Sequence, residues 1–573
     1  MKKRYFLLCG GLVILIALLS CCGKKAKEDP PPETDPVAHD EKGIILFDAA
    51  GAHCRIAYPN EAGETVVSLA QTLGEAFREL TGAEIPICRE ADVPDDGAAV
   101  LWLGNTWAGW EAGLATGCGY YGYTVRPLNG DLYLFSLNDK VLSDAVIKCG
   151  IRWESAFSGG VLRITPEFAF GGSPSKYTLL GNIPYFEGAD YRSTHDCDNG
   201  HEMILFANAT AETFNAYCEK IVSNGFRQTA GNDWNGNLFR TFFNDAGVML
   251  HTYLTAYSGE VRVIVADRPE YRSEPTGTVA QTWEPFLYPL PADGGMGYVL
   301  RLADGSFLVV DGGYRNANCR DQLYDVLAAN APDPDHIVIA CWILTHGHVD
   351  HVGTFLNFAE TCRDDPKIEI RSFLQNMCLT DEQCQYLQTD LWQETLSCMA
   401  LNYPSVPVYV ALTGQVYDFA GTKVEILYTM PDYMPRRLDP NPEPTPEKYY
   451  TADGNTQSVV FRVTVNGHTL LFMADTTSDC CDEMCARYGS WLKSEYVQMA
   501  HHGIADERPH AQNATKEIYE LIAPTYALLP CSKGQMAGKL ANEVNQYLLS
   551  IIGGESRVIC SGSWKKLILF PAS

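Results

Sequence analysis

The sequence predicts a multidomain α/β chain: two smaller α/β or α+β units, then a larger C-terminal unit in which helices cover sheets. Three observations predict it. Strand-like and helix-like patterns alternate from residue 44 onward, separated by turn signals such as Asn129-Gly130, Ser258-Gly259 and Asp304-Gly305. The chain has 573 residues, 46% of them hydrophobic, which suffices for about three domains of ~150 residues each. The C-terminal part carries Thr345-His346-Gly347-His348-Val349-Asp350-His351 directly after the apolar strand Ile337 to Leu344.

The first residues are a targeting signal rather than fold. Lys2, Lys3 and Arg4 make a basic start, Phe6 to Leu19 an apolar run, and Leu18-Leu19-Ser20-Cys21 a small-residue cleavage site. The apolar run is short for a membrane span. The Leu-Leu-Ser-Cys ending resembles the bacterial lipoprotein box. That resemblance implies a signal peptide over 1–21, diacylglycerol on Cys21 and anchoring on the outer side of the cell membrane. An ordinary secretory signal or a short anchor is the alternative, and either exports the body of the protein. Residues 22–43, with Pro30-Pro31-Pro32 and almost nothing apolar, read as a disordered tether.

Residues 44–170 read as an accessory α/β domain. Ile44 to Phe47 is a strand. Val66, Leu69, Leu73, Phe77 and Leu80 form a helical stripe, with Gly82 at its C-terminal cap. Ala98 to Leu103 reads as a buried strand, Tyr123 to Ser136 as a hairpin and Asp139 to Arg152 as a helix. A helix ending Leu-Thr-Gly-Ala-Glu-Ile-Pro, a Leu103-Gly104 strand end and a closing helix resemble the small α/β domains that precede catalytic barrels in exported glycosidases. This implies a glycan-contacting accessory module, or a spacer with no ligand of its own.

Residues 181–270 read as a small α+β domain. It has a strand at Met203 to Ala207, a helix at Ala211 to Asn224, and strands at Leu238 to Phe243, Val248 to Tyr257 and Val261 to Ala266. No chemistry is evident in it. His195, Asp196, Asp198 and His201 are expected as unpartnered loop residues, with a metal site there as the alternative.

Net charge is −27. An acidic surface repels phosphate backbones, so no nucleic-acid partner is expected. It also leaves the lipid anchor as the membrane contact. Of the 20 Cys, Cys480, Cys481 and Cys485 cluster on a helix-like stretch. With no second CxxC pair to complete a four-sulfur site, they read as core or surface residues.

Residues 281–573 read as the catalytic domain. Imidazoles and carboxylates are the ligands that zinc and similar divalent ions take. His346 and His348 alternate across one residue, so in extended backbone they point the same way and can grip one ion. Asp350 and His351 follow where the chain turns into a helix, and can face a second.

Thr-His-x-His-x-Asp-His resembles the signature of the metallo-β-lactamase superfamily, and four more landmarks occur in order. Val309-Val310-Asp311-Gly312-Gly313 is similar to the first motif, whose Asp supports the metal loop. Asn455-Thr456-Gln457-Ser458 resembles the Asn-x-x-Ser strand opening of the competence-protein-like branch. Leu471-Phe472-Met473-Ala474-Asp475 ends a strand in an Asp, where the family usually has Gly-Asp. Ala500-His501-His502-Gly503 resembles the closing His-His-Gly motif. The resemblance implies an αββα sandwich holding one or two divalent ions, zinc foremost. His346 and His348 would bind the first ion. Asp350, His351 and one of His501 or His502 would bind the second, with His502 preferred. Asp475 would bridge the two, Asp311 would support the loop, Asp350 would move the proton and His501 would contact the substrate oxyanion.

One ligand of the family pattern is missing. Another imidazole normally joins the first ion from a loop between the signature and the bridging Asp. His468 lies at the far end of the strand that leads to Asp475, about 20 Å away, so it cannot serve. Related exported members open a His-Thr-Gly-Gln stretch there, and here it reads Leu412-Thr413-Gly414-Gln415. The expected activity is metal-dependent hydrolysis of an ester or phosphodiester in a small molecule or cell-envelope component. The alternatives are a single-metal enzyme or a degenerate site that binds without turnover. A nuclease sits badly with the charge. A β-lactam-cleaving enzyme fits the Asn-x-x-Ser and His-His-Gly landmarks less well.

Overall fold

The computed structural model describes residues 43–568, apart from 115–121, 138, 173–182, 185, 198–199, 272–282, 378–390, 438–453, 505–513 and 564–565. Cys21, the signal segment and the tether up to residue 42 lie outside the described residues. No helix among those described is long and apolar enough to cross a membrane.

The first unit holds a four-stranded and a six-stranded sheet. Val66, Ala70, Leu73 and Phe77 of the helix Glu64–Thr81 are buried against them, and Gly82 ends that helix at φ 77° with its N–H bonded to Arg78 O. This is the left-handed cap that glycine adopts without strain.

The second unit is a six-stranded antiparallel sheet. Alternation assigns its two faces. Leu250, Leu254, Val261, Val263 and Val265 pack with Phe214 and Ile221 of the helix Ala211–Ser223. Met249, Tyr253, Ile264 and Ala266 point the other way and join the core of the third unit. Two strands depart from the expectation. Phe226–Trp234 is a strand of mostly polar residues, paired along its length with Asn237–Asn244. Asp190–Asp196 is a strand whose partner opens at His201. His195, Asp196 and His201 are therefore strand residues, not loop residues, and His201 is buried. Backbone pairing holds both strands where apolar periodicity is weak. Asp198 lies outside the described residues.

The third unit is two sheets packed face to face with helices outside both. Its elements are β1 (Gly297–Arg301), β2 (Phe307–Asp311), α1 (Ala317–Asn330), β3 (Ile337–Ile343), α2 (Val349–Cys362), β4 (Phe373–Gln375), α3 (Trp392–Asn402), β5 (Val408–Val410), β6 (Val416–Phe419), β7 (Thr422–Tyr428), β8 (Val460–Val465), β9 (His468–Phe472), α4 (Ser478–Tyr488), β10 (Tyr496–Gln498), α5 (Lys516–Ile522), β11 (Tyr526–Leu529), α6 (Met536–Leu540), α7 (Glu543–Ile552) and β12 (Val558–Cys560). One sheet runs β5-β4-β3-β2-β1 and continues into Phe286–Pro289 and Leu567–Ile568; the other runs from β6 to β12 in order. Leu308 and Val310 of β2 face Phe461, Val463, Leu470 and Phe472 of β8 and β9 between the sheets. Phe307 and Val309 face outward onto Leu323, Leu327, Phe355 and Phe358 of α1 and α2. Cys480, Cys481 and Cys485 are buried in the core beneath α4 and are unbridged.

Strands β2 to β5 are parallel to one another, as are β9 to β12. The C-terminal ends of each set therefore share one edge, where open α/β sheets gather ligands.

The second unit docks on this domain through polar contacts as well as apolar ones. Tyr253 Oη–H donates to Asp432 Oδ1 at 2.7 Å, and Arg487 Nη2 lies 2.8 Å from the same oxygen. Burial works against the charge on Asp432, but Arg487 and Arg262 outweigh it and hold the carboxyl below its usual range. His251 Nε2–H donates to Thr413 O at 2.9 Å, and its Nδ1 accepts from Thr241 Oγ1. Burial pushes this imidazole down to about 4, so it is neutral at physiological pH. Asp432→Asn removes the buried carboxylate that two guanidiniums share, leaving Arg487 with Glu483 alone and Arg262 with Glu260. It is expected to destabilise the protein by about 3–5 kcal/mol, read as a lowered denaturant midpoint; an unchanged midpoint would show that the pair contributes nothing.

Candidate metal centre

Asp311 ends β2 with φ 51° and is completely buried. Its carboxylate organises the next strand end. Oδ1 accepts the Thr345 N–H at 2.8 Å. Oδ2 accepts the Thr345 hydroxyl at 2.8 Å and the His351 Nδ1–H at 2.7 Å. The Thr345 oxygen can then accept from His346 Nδ1, 3.1 Å away. Gly347 leaves the loop room to pass α3, because a Cβ there would lie 2.8 Å from Trp392 Cβ.

With their Nδ1 atoms tied outward, His346 and His351 turn Nε2 toward a common point. His502 does the same from the other sheet, its Nδ1–H donating to Pro530 O at 2.9 Å. Hydrogen-bonding the far ring nitrogen in this way fixes the tautomer and aims the near one at a metal. Asp475, after β9, lies among these rings. Its Oδ1 is 3.2 Å from His351 Nε2, and its Oδ2 is 3.5 Å from His502 Nε2 and 3.9 Å from His346 Nε2. Asp350 Oδ2 is 3.2 Å from His502 Nε2. His348 presents Nδ1, 3.1 Å from His346 Nε2.

Two overlapping donor groups result, His346 with His351 and Asp475, and Asp350 with His351 and His502; within each, ligand atoms lie within 4.8 Å of one another. Asp475 Oδ1 is buried with no aligned hydrogen bond. A desolvated carboxylate oxygen in that state fits a metal ligand. The donor set is nitrogen and oxygen only, as zinc, iron or manganese accept.

The electrostatics follow from burial and proximity. Burial, with His351 and His348 adding to it, pushes His346 well below the ordinary imidazole range. Burial also opposes charge on His351, but Asp475 and Asp311 outweigh it and raise it well above that range. For His502, burial is outweighed by Asp475 and Asp350, and the imidazole is lifted to about 9. Burial disfavours the Asp350 carboxylate, yet His502 and His351 hold it low.

The geometry separates the two adjacent histidines. His502 is buried and tied through Nδ1, whereas His501 is the more exposed ring, its Nε2 3.9 Å from Asp475 Oδ2. Asp311, Ala474, His501 and His502 all have φ between 49° and 53°. Non-glycine residues in that region cost of order 1–3 kcal/mol each and concentrate at functional sites. Ala474 thus holds, as an alanine, the left-handed conformation that suits glycine.

Residues 290–505 match a family model described as the metallo-beta-lactamase superfamily. The chain carries a metallo-β-lactamase superfamily domain. No curated protein matches the chain. Among solved structures, it is similar to the metallo-beta-lactamase fold protein YhfI of Bacillus subtilis, at 11% identity over 49% of this chain and 99% of that one, with TM-score 0.30. It is also similar to CmlA, a diiron beta-hydroxylase of Streptomyces venezuelae, at 12% identity over 50% and 55%, with TM-score 0.31. A metallo-beta-lactamase of Cronobacter sakazakii is similar at 13% identity over 49% and 92%, with TM-score 0.24.

The Asn-x-x-Ser stretch of the metallo-β-lactamase domain braces the centre from the turn that leads into β8. Ser458 Oγ accepts the Asp475 N–H at 3.2 Å, and Val459 N–H donates to Thr345 O at 3.0 Å. Leu412 is buried in apolar core, with its N–H bonded to Gln415 Oε1. His468 pairs with Glu495 at the other end of β9, 2.6 Å apart. Neither residue supplies an imidazole to the first ion position; beside His346 the structure sets His351 and Asp475, with His348 Nδ1 3.1 Å from His346 Nε2. Pro530 and Lys539 enter the site with no signal in the sequence, because only the tertiary fold brings β11 and α6 beside the His-His turn.

Asp311→Asn replaces an acceptor of three hydrogen bonds by an amide. It is expected to weaken metal binding about 10–100-fold, measured by competition with a chelating dye. An ion must also displace the proton that His502 holds up to about 9, so affinity should rise from pH 6 toward pH 9. Equal affinity in the Asn variant would contradict the role given to Asp311.

Proposed function

We propose that the chain is a metal-dependent hydrolase of an ester or phosphodiester, acting on a small molecule or cell-envelope component. One observation carries the reading: three Nε2 atoms, each with its Nδ1 tied outward, converge on Asp475. Bound divalent ions supply water of lowered pKa and a positive field for the developing oxyanion. The chain's residues do the rest. Asp350 stands where it can take a proton from the attacking water and return it to the leaving group. His501 faces the same centre and suits the substrate oxyanion. We place the enzyme outside the cell membrane, anchored through lipidated Cys21, on the strength of the basic start, apolar run and Leu-Leu-Ser-Cys ending. The domain at 44–170 is given a glycan contact by its resemblance alone.

A second reading, a binding lipoprotein without turnover, draws on Leu412, whose loop supplies no imidazole to the first ion. Activity decides between them. Zinc- or manganese-loaded protein should hydrolyse an activated ester or phosphodiester, lose that activity to a chelator and regain it when metal returns. Asp350→Asn should lower kcat by about 10²–10⁴. Loaded protein inert on both substrates would favour the binding reading.

A further inference from the structure

Lys539 lies on α6, which packs against the turn that carries His501 and His502. Two asparagines fix this packing. Asn545 Nδ2 donates to Gly503 O at 2.9 Å and to Lys539 O at 2.8 Å, and Asn542 Nδ2 reaches the same two carbonyls at 3.0 Å each. Gly503 directly follows His502, so the lysine backbone is clipped to the metal loop. The Lys539 side chain is half-buried. Among the described residues its ammonium makes no hydrogen bond or ion pair. Burial lowers its affinity for the proton, while Cys531, Asp475 and Asp350 act on it in the opposite sense. The last two are the acidic residues of the metal centre, beside which the clip to Gly503 O holds the lysine.

A half-desolvated ammonium is costly without a partner. Once Asp350 and Asp475 serve as metal ligands, no described residue is left as its counter-charge, and an anion entering from solvent can supply it. A neutral ester brings none. A phosphodiester does, because it carries a full negative charge on the non-bridging oxygens of the phosphorus under attack. Its uncharged substituents also find suitable surroundings. Tyr314, Val349 and Ile504 are exposed at 37%, 40% and 38%, and each is next in the chain to a residue of the metal loops.

We propose that the substrate is a small phosphodiester and that Lys539 binds one of its non-bridging oxygens, beside the metal centre. This rests on the hydrolase reading. Water forms a bond to phosphorus, the bond from phosphorus to the leaving oxygen breaks with its electron pair, and a proton from the water ends on that oxygen. The products are a phosphomonoester and an alcohol. The net charge of −27 disfavours a polyanionic chain and not a single diester.

The test uses the full chain in detergent, loaded with zinc, and the variants Lys539→Met, which keeps the aliphatic stem, and Lys539→Arg, which keeps the charge. Metal content is counted for all three, and inorganic phosphate is titrated calorimetrically. Metal content should be equal, phosphate affinity should fall about tenfold in the Met variant, and the Arg variant should stay near the parent. On bis(4-nitrophenyl) phosphate the Met variant should lose kcat/KM by a similar factor, while hydrolysis of 4-nitrophenyl acetate should not change. Equal phosphate affinity in parent and Met variant, at equal metal content, would overturn the assignment of Lys539. A parent that binds phosphate through Lys539 yet cleaves neither compound would instead overturn the hydrolase reading.

Discussion

The centre depends on one buried carboxylate. Asp311 accepts three hydrogen bonds from two residues of the next strand end, Thr345 and His351. Each bond decides something. The backbone bond sets where the metal loop leaves β3, the hydroxyl bond orients Thr345 toward His346, and the imidazole bond aims His351. A neutral side chain of similar shape would not accept all three with comparable strength, since charge-assisted bonds are roughly twice as strong as neutral ones. The left-handed backbone at Asp311, at Ala474 and at the His501-His502 pair shows the same compromise. Backbone ease is given up where ligand direction requires it.

The sheets explain why ligands so distant in sequence meet. Asp311, the Thr345–His351 loop, Asp475 and His502 all follow the C-terminal ends of strands in two parallel runs, and the two sheets face each other across one core. The second unit adds a constraint from outside. Its sheet packs over Leu412–Gln415, with Phe239 so close to Gly414 that a Cβ would lie 1.9 Å from the ring, and with His251 and Asn232 bonded to Thr413 O and Gly414 O. The loop that would carry the missing imidazole is thereby held by a neighbouring unit, which ties the second unit to the architecture of the centre.

Much of this was legible from residue patterns. The helical stripe from Val66 to Leu80, the strand ending at Asp311 and the strand leading to Asp475 were readable from residue patterns, and the ordered landmarks pointed to the residues that lie around Asp475. Periodicity failed where backbone pairing, not side-chain burial, holds the strand, as in Phe226–Trp234 and in Asp190–Asp196. The choice between His501 and His502 was also out of reach. It turns on Pro530 O, a carbonyl brought in by β11, and no side-chain pattern announces a backbone acceptor. Lys539 was missed for a related reason, since two asparagine amides place it.

X-ray absorption at the metal edge of the loaded full chain measures most directly how the donors share metal. The expected spectrum has a first shell of nitrogen and oxygen with no sulfur, and a second metal at about 3.5–4 Å. A sulfur shell, or a protein that retains no metal when His346, His348, Asp350, His351, Asp475 and His502 are all intact, would contradict it.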